Sequence, residues 1–208
     1  MISDALLSAV LQVAVFTLIP LIVYLVTRRK ATGFLEYVGL FKPEARTMAL
    51  ATAWVALTIA ALAALLAFAP ALRDTLGGPG TAAGALREIG PTPAGIVALL
   101  VGALIKTALS EEILFRGFIA KRLIAWRGFA PGNVLHAVLF ALPHLLLLVV
   151  PDGPRVTAAG ATALFTWPFL TALVLAWLNE RRGNGSIAPS WWAHAAGNAT
   201  AYALLAYG

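Results

Sequence analysis

Six runs of about twenty mainly apolar residues divide this chain, each long enough to cross about 30 Å of hydrocarbon at 1.5 Å per residue. They extend roughly over residues 5–27, 47–69, 93–126, 133–150, 158–178 and 187–207. The chain therefore reads as all-α, a polytopic transmembrane helical bundle of about six membrane segments in a single domain spanning residues 1–208. Composition agrees. The chain is 61% hydrophobic and 12% charged, whereas soluble domains sit near half apolar and a quarter charged. Breakers punctuate the connections: Pro70, Gly77-Gly78-Pro79-Gly80, Gly90-Pro91, Pro131-Gly132, Pro151-Asp152-Gly153-Pro154 and Gly183-Asn184-Gly185. Between the first two spans, Gly33 to Pro43, with Phe34, Tyr37 and Phe41, reads as a short amphipathic piece at the interface.

Charge gives the chain a direction. The net charge is +6, and the basic residues cluster at the ends of apolar runs rather than in an aromatic-interleaved nucleic-acid module. With the N-terminus outside, the inner loops hold Arg28, Arg29, Lys30, Lys42, Arg46, Lys121, Arg122, Arg127, Arg181 and Arg182, and the outer loops hold Arg73, Arg87 and Arg155. The opposite orientation inverts this bias and is rejected. The first run has no Lys or Arg before it and Arg28-Arg29-Lys30 directly after it, the reverse of a signal peptide, so it reads as a retained helix. With no Cys, the chain has no disulfide, thiolate metal site or cysteine nucleophile.

The third run is too long for a simple span, and its second half carries Lys106, Glu111, Glu112 and Arg116. Each ionisable residue at membrane depth costs a few kcal/mol, so these must face a protein interior or a wet cavity. Glu112 and Arg116 stand four apart, acid before base, on one helix face. Glu111 sits about 100° round from Glu112, so one carboxylate is held by the arginine while the other points elsewhere. Such a division separates an acid/base from a structural partner. The bland alternative, a charged helix end at the surface, is already supplied by Lys121 and Arg122.

His136, His144 and His194 are the only histidines. His144 lies four residues after Phe140, and His194 four before Asn198. Counted from the inner helix ends, Glu111, His144 and His194 lie about 15, 18 and 10 Å deep. Three separate helices thus place polar groups in one band of the bilayer. Singly, an intramembrane His or Asn is commonly an interhelical hydrogen bond; their convergence is what argues for a site. His136 lies near an inner helix end and reads as interfacial. Lys106 either neutralises a glutamate or lines a cavity, and Trp191 and Trp192 read as interface or packing residues. Glu111, His144 and His194 also satisfy zinc's demand for three ligands and an open position, although the sequence has no His-Glu-x-x-His. Paired half-helices and repeats of the transporter type are not seen.

Taken in order, Glu111-Glu112-x-x-x-Arg116, Phe140-x-x-x-His144 and His194-x-x-x-Asn198 resemble the three motifs of the CPBP family, the CAAX proteases and bacteriocin-processing (Abi) enzymes. The resemblance covers roughly Ile105 to Ala199. It implies an intramembrane glutamic endopeptidase with its catalytic core at about residues 93–207, reached from the cytoplasmic half. It also implies that Glu111 and His144 activate a water, that His194 and Asn198 stabilise the oxyanion, and that Glu112 and Arg116 support the site. On the resemblance the enzyme uses no cofactor, with zinc as the alternative. The partners expected are the lipid bilayer and a membrane-associated peptide or protein, such as a prenylated tail, a bacteriocin leader or a sorting tail, and no nucleic acid. The Ala- and Gly-rich chain with short loops points to a bacterial plasma (inner) membrane. A non-catalytic immunity or scaffold role, in which the polar core only stabilises the fold, is the competing class.

Overall fold

In the computed structural model, residues 2–29, 32–149 and 157–208 are described. Lys30, Arg155 and the expected breaker at Pro151 to Pro154 lie outside them. The long helices are α1 (Ile2–Arg28), α3 (Ala45–Phe68), α6 (Pro93–Arg127), α7 (Phe129–Leu148), α8 (Ala158–Arg182) and α9 (Ala188–Tyr207). Shorter helices are α2 (Phe34–Val38), α4 (Leu72–Gly77) and α5 (Ala82–Ile89). Among the described residues there is no strand. Five of the helices, α1, α3, α6, α7 and α8, are long and apolar enough to cross a membrane, so this is a membrane protein.

The sixth long helix, α9, is more polar for a structural reason. It runs through the middle of the bundle, against α3, the first half of α6, and α4 and α5. A central helix meets protein rather than lipid, so it can carry Ser190, His194 and Asn198 at its core. By contrast, α1 lies at the periphery, with Leu7, Val10, Leu11, Val15 and Leu18 exposed as a lipid-facing surface.

Two connections differ from the sequence expectation. The stretch after Pro70 folds into α4 and α5, which cover one end of α9; the Arg87 guanidinium donates to the Leu205 carbonyl there. Pro131-Gly132 does not break the chain but lies in the first turn of α7. Proline is tolerated there because its missing N–H has no intrahelical acceptor in any case. The actual break is Gly128, at φ +80°. Within the Gly33 to Pro43 stretch the chain forms α2, pinned by Val38 against Ile113 and Ile187. It crosses α6 at Gly117, where a Cβ would stand 2.5 Å from the Val38 carbonyl oxygen.

At the basic end of the bundle, Lys121 pairs with Glu180 at 2.7 Å. Arg122, Arg181 and Arg182 lie over the rings of Tyr37, Phe129 and Trp177. Long cationic side chains covering aromatic faces at helix ends are what a membrane–water boundary selects.

Candidate active site

Helix α6 is not a regular α-helix. Residues Val101–Leu109 and Glu112–Ala120 are π-helical, with only Ser110 and Glu111 α-helical between them. The wider turn shows in the Ser110 N–H, which reaches the Ile105 carbonyl five residues back. π turns inside α-helices concentrate at functional sites, and this pair flanks the glutamates.

Glu112 is fully buried and meets three side chains. One carboxylate oxygen, Oε1, meets Arg116 Nη1 at 3.1 Å and His194 Nδ1 at 2.9 Å. The other, Oε2, accepts the Ser190 hydroxyl at 2.5 Å. Ser190 Oγ in turn accepts from Asn179 Nδ2 at 2.7 Å. A buried charge is tolerated only with such pairing and hydrogen bonding. The Arg116 guanidinium, equally buried, lies 3.8 Å from the Phe140 ring centroid. Glu112 and Arg116 are thus paired with each other inside the bundle.

Glu111 is different. Its side chain is 20% exposed where that of Glu112 is 0% exposed, and its Oε2 lies 3.8 Å from His194 Nε2. His194 thus stands between the two carboxylates. Because Glu112 takes Nδ1, the ring is oriented with Nε2 toward Glu111.

His144 is brought to the same region but not onto Glu111. Its Nδ1 meets the Phe140 carbonyl at 3.1 Å, and Nε2 has no hydrogen-bond partner among the described residues. Its ring packs on Phe140 at 5.4 Å, and His194 packs on the same ring at 6.0 Å. Phe140 is the common plate for Arg116 and both imidazoles. Asn198 donates to Thr107 Oγ1 at 3.2 Å. An amide nitrogen has two N–H groups, so one remains. His194 and Asn198 both line a cleft of about 80 Å³ between α3, α8 and α9, walled by Trp54, Thr58, Trp167 and Thr171. Glu111 and His144 do not line it.

His136 departs from the sequence reading. It is fully buried rather than interfacial, with Nδ1 3.4 Å from Asn133 Oδ1, because α7 packs this face against α8. Lys106 makes no ion pair with either glutamate among the described residues. Trp191 and Trp192 are packing residues whose indoles donate to the Leu104 carbonyl and Thr52 Oγ1. Among the described residues, no three His, Asp or Glu side chains gather as a metal site. Three contributors escaped sequence reasoning: Ser190, Asn179 and Thr107. Ser190 was readable, since it stands one turn before His194 on the same face. Nothing local marks the other two.

Glu111, Glu112, Arg116, Phe140, His144 and His194 all fall within residues 93–200, which match the family model "Type II CAAX prenyl endopeptidase Rce1-like". The match spans more than half of the chain. This chain belongs to the Rce1-like CAAX prenyl endopeptidase family. The resemblance to the CPBP family is thereby confirmed, and the family is one of peptidases embedded in membranes. No curated protein and no solved structure matched. Helices α1 to α5 of this Rce1-like protein lie outside the matched region.

Proposed function

We propose that this Rce1-like protein is an intramembrane endopeptidase that hydrolyses a peptide bond in a membrane-associated peptide or protein tail by glutamate-activated water. The observation that carries the reading is the division between the two glutamates. Glu112 is fully buried against Arg116, His194 and Ser190, whereas Glu111 is partly exposed and faces His194 Nε2 at 3.8 Å. A carboxylate with spare acceptor capacity beside an imidazole is suited to take a proton from water.

In the proposed reaction, Glu111 and the free Nε2 of His144 hold the water. Its oxygen bonds to the scissile carbonyl carbon as Glu111 takes its proton. The oxyanion is received by the side chains of His194 and Asn198. As the C–N bond breaks, Glu111 returns the proton to the leaving amine. Glu112 Oε1 lies 2.9 Å from His194 Nδ1 and so fixes the orientation of that ring. No metal takes part. The 10:3 bias of basic residues in the sequence supports an orientation with Lys121, Arg122, Arg181 and Arg182 on the cytoplasmic side of a bacterial plasma membrane and the N-terminus outside.

The test uses the purified full chain in liposomes with a fluorogenic prenylated tail peptide, and a leader peptide as a second substrate. Glu111→Gln is expected to remain folded and to lose at least about 100-fold in kcat, the scale of a general base. Undiminished cleavage would sink the glutamate mechanism. Loss of wild-type activity to a chelator, restored by zinc, would replace it with a metal-dependent one.

A further inference from the structure

Helix α1 turns an apolar, lipid-facing surface outward, and Gln12 lies among those residues on its inner side. A primary amide at membrane depth needs hydrogen-bond partners on a neighbouring helix. Gln12 finds two, 94 and 98 positions away. Its Nε2 donates to the Lys106 carbonyl at 2.8 Å and to Ser110 Oγ at 3.1 Å. Both acceptors lie in α6, immediately before Glu111, and Ser110 is fully buried.

The backbone around these contacts explains what they do. In a regular α-helix the Lys106 carbonyl accepts the Ser110 N–H. Here that N–H bonds to the Ile105 carbonyl, five residues back. The Lys106 carbonyl instead accepts from two side chains, the Ser110 hydroxyl at 2.5 Å and the Gln12 amide. Gln12 therefore satisfies an acceptor that the wide turn takes away from the local ladder. The one residue added by a π turn rotates everything beyond it by about 100°. Return to α register would swing Glu111 and Glu112 away from His194 and Ser190.

We propose that Gln12 is a positioning residue that holds the π register in which Glu111 and Glu112 meet His194. Gln12 thus makes α1, which lies outside the family match, part of the active-site architecture. The kinetic consequence rests on the protease reading; the structural one does not.

Gln12→Met keeps the side-chain length and removes both donors. Two readouts are taken on the full chain in detergent. The first is cleavage of the tail peptide, with kcat expected to fall about 10–100-fold at a KM changed less than about twofold, the scale of a sub-ångström to one-ångström misplacement of catalytic groups. The second is the imidazole ¹⁵N spectrum, in which the His194 Nδ1 signal shifts as its bond to Glu112 weakens. With three histidines in the chain, the signals are assignable by single His→Gln variants. If Gln12→Met fails to fold, Gln12→Asn, one methylene too short to reach both acceptors, is read the same way. A folded variant with wild-type kcat and an unmoved His194 signal overturns the proposal, as does an effect confined to KM. If Glu111→Gln cleaves as fast as wild type, the glutamate mechanism falls, and if the wild type cleaves neither peptide, the protease reading falls; in both cases the His194 shift alone decides the role of Gln12.

Discussion

The hydroxyl of Ser190 is the most exposing point at which to challenge the Glu112 network. Ser190→Ala removes a hydrogen bond to a fully buried carboxylate and also removes the acceptor of the buried Asn179 amide. A hydrogen bond to a charged group contributes about 1.5–3 kcal/mol, and an orphaned buried donor costs about 1–3 kcal/mol. Neither site is reached by solvent, so no water replaces the lost oxygen at the surface. Together they give an expected destabilisation of about 2.5–6 kcal/mol, at its upper end among the largest single-residue effects. Reversible unfolding in mixed micelles, followed by Trp fluorescence, measures it. A second variant apportions the loss. Asn179→Leu in the Ser190→Ala background removes the orphaned donor, so the double variant is expected to be more stable than the sum of the singles by about 1–3 kcal/mol. A Ser190→Ala protein within about 1 kcal/mol of wild type would refute the reasoning, because the carboxylate would then not depend on its hydroxyl donor.

Two further outcomes follow from the geometry. Phe140→Leu removes the ring under Arg116; the double-mutant coupling between the two is expected near 2 kcal/mol, the value for a desolvated cation–π pair, in the same unfolding assay. Gly117→Ala drives a Cβ into the Val38 carbonyl and is expected to cost about 1–3 kcal/mol, with the mobility of a spin label on α2 reporting its displacement from α6; unchanged stability and mobility would show that α2 is not seated there.

The candidate residues were legible because each breaks a hydrocarbon rule. Glu111, Glu112, Arg116, His144, His194 and Asn198 stand out against runs of Leu, Ala and Val, and a membrane span offers few innocent reasons for them. Their pairing was less legible. Sequence spacing assumes 3.6 residues per turn, and α6 departs from it on both sides of Glu111. Glu111 was expected beside His144, yet the contact it makes is with His194, because Glu112 holds that ring from the other side.

By itself, the sequence determined that the chain is a membrane bundle, where its long helices lie, and which polar residues had to be sheltered. These follow from transfer free energies, which act residue by residue and need no knowledge of neighbours. Only the tertiary structure decided that α9 is the central helix, that α4 and α5 cover its end, that Phe140 seats three side chains, and that Gln12, Asn179, Thr107 and Ser190 complete the polar core. Those are matters of long-range packing. A hydrogen bond between residues 94 or 98 positions apart leaves no periodicity in either strand of sequence, because which carbonyl is left open depends on the register of a helix that the rest of the bundle has bent to its own spacing.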